Sequence, residues 1–126
     1  AYWLSGHLLI DRGNREKAVK SMNKLSAFVK AKNLSIWIWP EGTRSMDGQL
    51  IAFKKGFVHL ALATGLPIVP VILHGAGERW PAKSMHFYPG EVRVEVLDPI
   101  NTKDWNKDSV DAHVEQVKSV MSDALG

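Results

Sequence analysis

The chain has 126 residues, 45% of them hydrophobic and 23% charged, with a mean hydropathy of −0.12. That is globular composition for one domain of ordinary size, and it excludes a mainly disordered chain. Sixteen Lys and Arg against 13 Asp and Glu give +3, which suits an anionic partner or a basic soluble surface alike. The absence of cysteine excludes a disulfide scaffold, a thiolate metal site and a cysteine nucleophile.

The chain opens at Ala1 with Tyr2-Trp3-Leu4 rather than with methionine, and shows none of the parts of a signal peptide. We expect it to be a piece of a longer protein. Gly6 to Ile10 reads as a strand ending at Asp11-Arg12, and Asn14 as the N-cap of a helix over Arg15 to Asn33. In that helix Ala18, Met22, Leu25 and Val29 form one stripe, and Lys17, Lys20, Lys24 and Lys30 lie off it.

Leu34 to Trp39 is β-branched and aromatic and predicts a second strand, stopped by Pro40. Trp37 and Trp39 share a face, for which sheet core is the favoured reading over an acyl-chain or membrane-facing surface. Residues 41 to 52 read as a loop, and Lys55 to Thr64 as a buried helix closed by Gly65. Ile68 to Leu73 predicts a third strand, in which Pro70 demands an edge or a bulge.

After a Gly-rich loop, Met85 to Tyr88 and Val92 to Leu97 predict a hairpin around Pro89-Gly90. Val110, Val114, Val117, Met121 and Ala124 predict a final amphipathic helix over Ser109 to Leu125, capped by Asp108. Phe57 to Leu73 is the longest apolar stretch, and its prolines and polar residues rule out a membrane span of ~20 apolar residues.

This order predicts an α/β layer fold with a largely parallel sheet flanked by helices, a hairpin-like extension and a C-terminal amphipathic helix. Parallel strands would bring their C-terminal ends to one rim: Arg12, the run Pro40 to Arg44, and His74 to Gly77. Arginine forks match phosphate or carboxylate oxygens, Gly42 permits close approach, Thr43 adds a hydroxyl, and Lys54 adds charge before a helix N-terminus. Glu41 could hold an arginine or accept a bond from a substrate hydroxyl. Together they predict a phosphate pocket.

These residues also carry a family resemblance over almost the whole chain. Gly6-His7-Leu8-Leu9-Ile10-Asp11-Arg12, Trp39-Pro40-Glu41-Gly42-Thr43-Arg44-Ser45 and Ile68-Val69-Pro70-Val71-Ile72 resemble the second, third and fourth motifs of the lysophosphatidic acid acyltransferases of the glycerophospholipid acyltransferase family, most closely the bacterial form. In the third motif only Trp39 departs, where the family usually has Phe.

The resemblance implies acyl transfer from acyl-CoA or acyl carrier protein to the free hydroxyl of 1-acylglycerol 3-phosphate, giving phosphatidic acid, with no further cofactor. It implies that Arg12, Glu41, Gly42, Thr43, Arg44 and, by position, Lys54 bind the substrate phosphate, with Pro70 shaping the pocket wall. It also implies residues 1–126 as one acyltransferase domain incomplete at its N-terminus, a membrane surface as partner, the cytoplasmic face of the inner (plasma) membrane as location, and any membrane anchor outside this stretch.

The family's first motif, an Asn-His with an aspartate five positions after the histidine, supplies a general base and the group that orients it. Five positions after His7, His59, His74 and His113 stand Arg12, Thr64, Arg79 and Lys118, and His86 has Glu91 only across a Pro-Gly turn. No histidine here fits, so the expectation is a substrate-binding portion inactive by itself, with His74 the one internal substitute to test. Trp3, Trp80 and Trp105 suit a membrane interface. A phosphate- or anionic-lipid-binding module without catalysis is the alternative. Nucleic-acid binding has no motif behind it, and the dispersed histidines suggest no metal site.

Overall fold

The structure, a computed structural model, describes residues 13–42 and 49–126. The expected strand over residues 6–10, and the predicted site residues Arg12, Thr43 and Arg44, lie outside the described residues. The chain forms two compact units, Ala1–Trp37 and Ile38–Gly126.

In the first unit, helix α1 spans Arg15–Lys32. Asn14 caps it, its side-chain oxygen accepting from the Lys17 amide at 3.1 Å, which satisfies one of the free N–H groups of the first turn. Asn33 ends it in the left-handed conformation, φ 53°, with Lys30 and Lys32 in the last turn where the helix dipole favours cations. Val29 and Ser26 are buried and the four lysines off the stripe are exposed, as the spacing predicts.

The second unit holds the main core. Helix α2, Gly56–Thr64, is closed by Gly65 at φ 69°, the expected glycine cap. It packs against helix α4, Val110–Leu125. Phe53, Phe57, Val58, Val114 and Val117 form the buried cluster, with Leu50, Leu62, Ile68, Ile100, Trp105, Val110 and Met121 around it. Val58 is fully buried, and a side chain of that size so placed contributes ~1.5–3 kcal/mol. The Phe53 and Phe57 rings meet edge to face at 6.2 Å between centroids.

Strand β1, Val71–His74, pairs antiparallel with β2, Arg93–Val96, in the register Val71 to Val96 and His74 to Arg93. Between them lies a one-turn helix α3, Ala76–Arg79, within the stretch expected to be only a Gly-rich loop. A 3₁₀ turn, Lys107–Ser109, leads into α4.

One expectation is met only in its coarser form, and three need correction. Among the described residues the sheet is this one antiparallel pair, so the chain is mixed α/β and no parallel pairing is present there. Leu34 to Trp39 forms no strand among the described residues, and Trp37 and Trp39 are each 63% exposed rather than sheet core. The partner of β2 is β1, not residues 85–88. That segment spends its polar groups locally: the Tyr88 amide donates to Arg79 O at 2.8 Å, the His86 amide to Ser84 Oγ at 3.0 Å, and the Trp80 and Phe87 rings lie 4.8 Å apart.

Finally, Asp108 does not cap α4. The 3₁₀ turn moves the cap upstream, where Asn106 Oδ1 accepts from the Asp108 amide at 3.0 Å.

Pro70 behaves as the strand pattern requires. Its carbonyl accepts from the Leu97 amide at 2.9 Å, and pairing resumes beyond it at Ile68 and Ile100. Two residues separate Ile68 from Val71 while three separate Val96 from Ile100, so a bulge opposite Pro70 absorbs the missing N–H.

Candidate functional site

The run Trp39-Pro40-Glu41-Gly42 is a tight turn. Pro40 supplies the preset φ of the second turn position, and the Gly42 amide donates to Trp39 O at 3.1 Å. Gly42 has φ 71°, a left-handed conformation in which glycine alone avoids steric cost. A β-carbon there would also stand 3.6 Å from Lys54 Cγ and 3.8 Å from Lys54 Cε. The Lys54 stem therefore lies along the Gly42 backbone.

Two more bonds hold this corner together. The Lys54 amide donates to Pro40 O at 2.7 Å, and the Ile51 amide donates to Glu41 Oε2 at 3.1 Å in a partly buried setting. The rigid end of the corner is Phe53, whose ring is in the core one residue before Lys54. Core packing thus fixes Lys54 beside Gly42 although the two are twelve residues apart.

Of the predicted residues, then, Glu41, Gly42 and Lys54 are brought together. Pro70 and His74 belong to the sheet. Pro70 is buried and bonded to Leu97. His74 Nε2 stands 3.1 Å from Glu95 Oε1, and Glu95 Oε2 stands 3.8 Å from Arg93 Nη1.

Glu95 was missed in the sequence. His74 faces Arg93 in the ladder, so Glu95 is its diagonal neighbour on the same face, 21 residues away in the chain. Only the pairing of β1 with β2 reveals it.

The remaining described histidines have other surroundings. His113 stacks on Trp105 at 4.4 Å and 8°, and its Nε2 accepts from the Asn106 amide at 3.2 Å. Trp105 is partly buried and packs against the core. His59 is exposed at an open groove of about 390 Å³ with Lys55, Lys107 and Asp111. Lys55 and Asp111 are paired there at 2.8 Å, and none of Glu41, Gly42 and Lys54 lines that groove.

Chemically, the Glu41–Lys54 corner offers a cation whose stem lies along a glycine turn. It opens directly onto Thr43 and Arg44 in the chain. A lysine beside a glycine turn suits an anionic ligand.

The acyltransferase family model matches residues 1–74. A 1-acyl-sn-glycerol-3-phosphate acyltransferase of Limnanthes douglasii is 46% identical over 119 residues, covering 94% of this chain and 42% of that protein. The enzyme of the same name from Escherichia coli (strain K12) is 39% identical over 124 residues, covering 98% of this chain and 50% of its own length. Among solved structures, the 1-acyl-sn-glycerophosphate (LPA) acyltransferase PlsC from Thermotoga maritima superposes with a TM-score of 0.73 at 29% identity, over 86% of this chain and 44% of that one. The chain belongs to the acyltransferase family. It spans about half the length, or less, of these relatives.

Proposed function

We propose that the protein carrying this chain transfers an acyl group from acyl-CoA or acyl carrier protein to the free hydroxyl of 1-acylglycerol 3-phosphate, giving phosphatidic acid. The chain contributes the site for the substrate phosphate. The observation that carries this reading is the placement of the Lys54 stem along Gly42, at the head of the Gly-Thr-Arg run, in a chain of this family. Arg12, Thr43 and Arg44 complete the phosphate site in this proposal, and Pro70 forms part of its wall. The acyl donor is a co-substrate, and the reaction calls on no cofactor.

The proposal extends to the rest of the domain. Residues 1–126 form one acyltransferase domain, with a largely parallel sheet flanked by helices as its proposed architecture. None of the five histidines acts as the general base, so the 126 residues alone give little or no transfer. His74 supports this reading, since its Nε2 is engaged by Glu95 within the ladder.

A membrane surface is the proposed setting, at the cytoplasmic face of the plasma membrane. Its support is the segment with Met85 at 90% and Phe87 at 69% exposure beside Lys83, an apolar and cationic mixture suited to a headgroup region. No described helix is long and apolar enough to cross a membrane.

The test is Arg44→Ala in calorimetric titration of this chain with a short-chain 1-acylglycerol 3-phosphate below its micelle concentration. Loss of a charge-assisted pair of bonds should weaken binding about tenfold or more. Unchanged binding would remove Arg44 from the site and the phosphate reading with it.

A further inference from the structure

The phosphate reading leaves one group in the wrong place electrostatically. Glu41 carries the same sign of charge as the ligand, and like charges at close range repel. The structure gives its carboxylate a different occupation. Oε2 accepts from the Ile51 amide at 3.1 Å, ten residues further along the chain.

This bond is one of three around the same corner. The Lys54 amide reaches Pro40 O at 2.7 Å, and the Gly42 amide reaches Trp39 O at 3.1 Å. Residues 39–42 and 51–54 are thereby tied to each other on either side of the 42–50 segment. A carboxylate accepting from a backbone N–H is a charge-assisted bond, stronger than a neutral one. No ion pair engages Glu41 among the described residues.

We infer that Glu41 is a positioning residue, which ties the two ends of the 42–50 segment together through the Ile51 amide and does not itself touch the substrate phosphate. The inference rests on the phosphate-binding reading of Gly42-Thr43-Arg44 and assigns Glu41 a role separate from theirs. The physical gain is entropic. Closing a chain segment costs conformational freedom, and whatever part of that cost is met in the free protein is not charged against binding. Removing the tie should therefore weaken binding of the phosphate while leaving the identity of its contacts unchanged.

The role of the carboxylate as an acceptor separates this from direct contact. Glutamine keeps an acceptor oxygen in the same place without the charge. Two measurements on the 126-residue chain decide the matter: hydrogen exchange of the Ile51 amide without ligand, and the dissociation constant for a short-chain 1-acylglycerol 3-phosphate. Each is made on the wild type, Glu41→Ala and Glu41→Gln.

In Glu41→Ala the Ile51 amide should exchange roughly 10-fold faster and binding should weaken by a similar factor, the scale of one charge-assisted bond. Glu41→Gln should rescue both to within about 3-fold of the wild type, since the bond it keeps is merely the neutral version. Ile51 protection unchanged in Glu41→Ala would overturn the inference. So would Glu41→Gln that keeps Ile51 protection yet binds as weakly as Glu41→Ala, because the charge itself would then be needed at the ligand.

Should Glu41→Ala lose its circular dichroism signature, Glu41→Gln decides alone: protection and binding both retained support the tie, and protection with lost binding defeats it. A wild type that fails to bind, or an Arg44→Ala variant that binds equally well, would defeat the phosphate reading instead. The exchange measurement needs no ligand, so it still decides the tie.

Discussion

Two polar corners of the second unit invite comparison. At Glu41–Lys54 a carboxylate, a glycine with positive φ and a lysine stem converge, and the carboxylate is held by backbone. At His74–Glu95 a histidine, a carboxylate and an arginine converge, and all three are held by each other across a two-stranded ladder. The second has the look of catalytic machinery, since a base oriented by a carboxylate is the common arrangement.

The difference lies in what is left over for a ligand. In the ladder corner Nε2 of the histidine is taken by Glu95, and the arginine is shared with the same carboxylate. In the loop corner no ion pair engages Lys54 among the described residues. Satisfied charge clusters stabilise a fold, and unspent donors bind ligands.

The largest effect is expected from cutting the loop corner off from the core. Phe53→Ala should cost ~3–5 kcal/mol in chemical denaturation, the usual range for deleting a buried aromatic ring. Because Phe53 precedes Lys54, binding of 1-acylglycerol 3-phosphate should fall as well at temperatures where the variant is folded. Stability lost without any change in binding would show that the corner does not depend on the core.

Next comes Gly42→Ala. Its left-handed φ should cost ~1–2 kcal/mol, the penalty for a β-carbon in that region, read as a lowered denaturation midpoint. The new methyl would stand in ordinary contact with Lys54 Cγ, so the strain comes from φ and not from crowding. A variant as stable as the wild type would mean that the turn relaxes out of the left-handed region.

The smallest effect belongs to the ladder corner. The coupling between His74 and Glu95, measured by a double-mutant cycle to alanine, should be ~1 kcal/mol or less for a pair that water partly reaches. His74→Ala should leave the affinity for 1-acylglycerol 3-phosphate unchanged. A drop comparable to that of Arg44→Ala would break the contrast between the two corners and bring His74 into the site.

Much of the local structure was legible in the chain. Asn14 as a cap, Gly65 as a helix stop, the stripes of α1 and α4 and the irregularity at Pro70 all follow from short-range chemistry: which residues cap, which tolerate a left-handed φ, which lack an N–H. The Trp-Pro-Glu-Gly-Thr-Arg-Ser run was equally legible as a family motif, in a chain that belongs to the acyltransferase family. Where the strand pairing was misread, the deciding interactions were not all local. The spacing of Val92 to Leu97 says that a strand forms but not which strand it joins, and the local bonding of residues 79–88 left β1 as the partner.

What the sequence determined by itself was the helices α1, α2 and α4, the strands β1 and β2, and the family. These depend on periodicity, on caps and on the residue order of a motif. Tertiary structure alone decided that the sheet of the second unit is antiparallel, that Glu95 engages His74, that Lys54 lies along Gly42 and that Glu41 is occupied by the Ile51 amide. Each of those is a contact between residues ten or more positions apart, and such contacts are fixed by how elements pack, which no local pattern encodes.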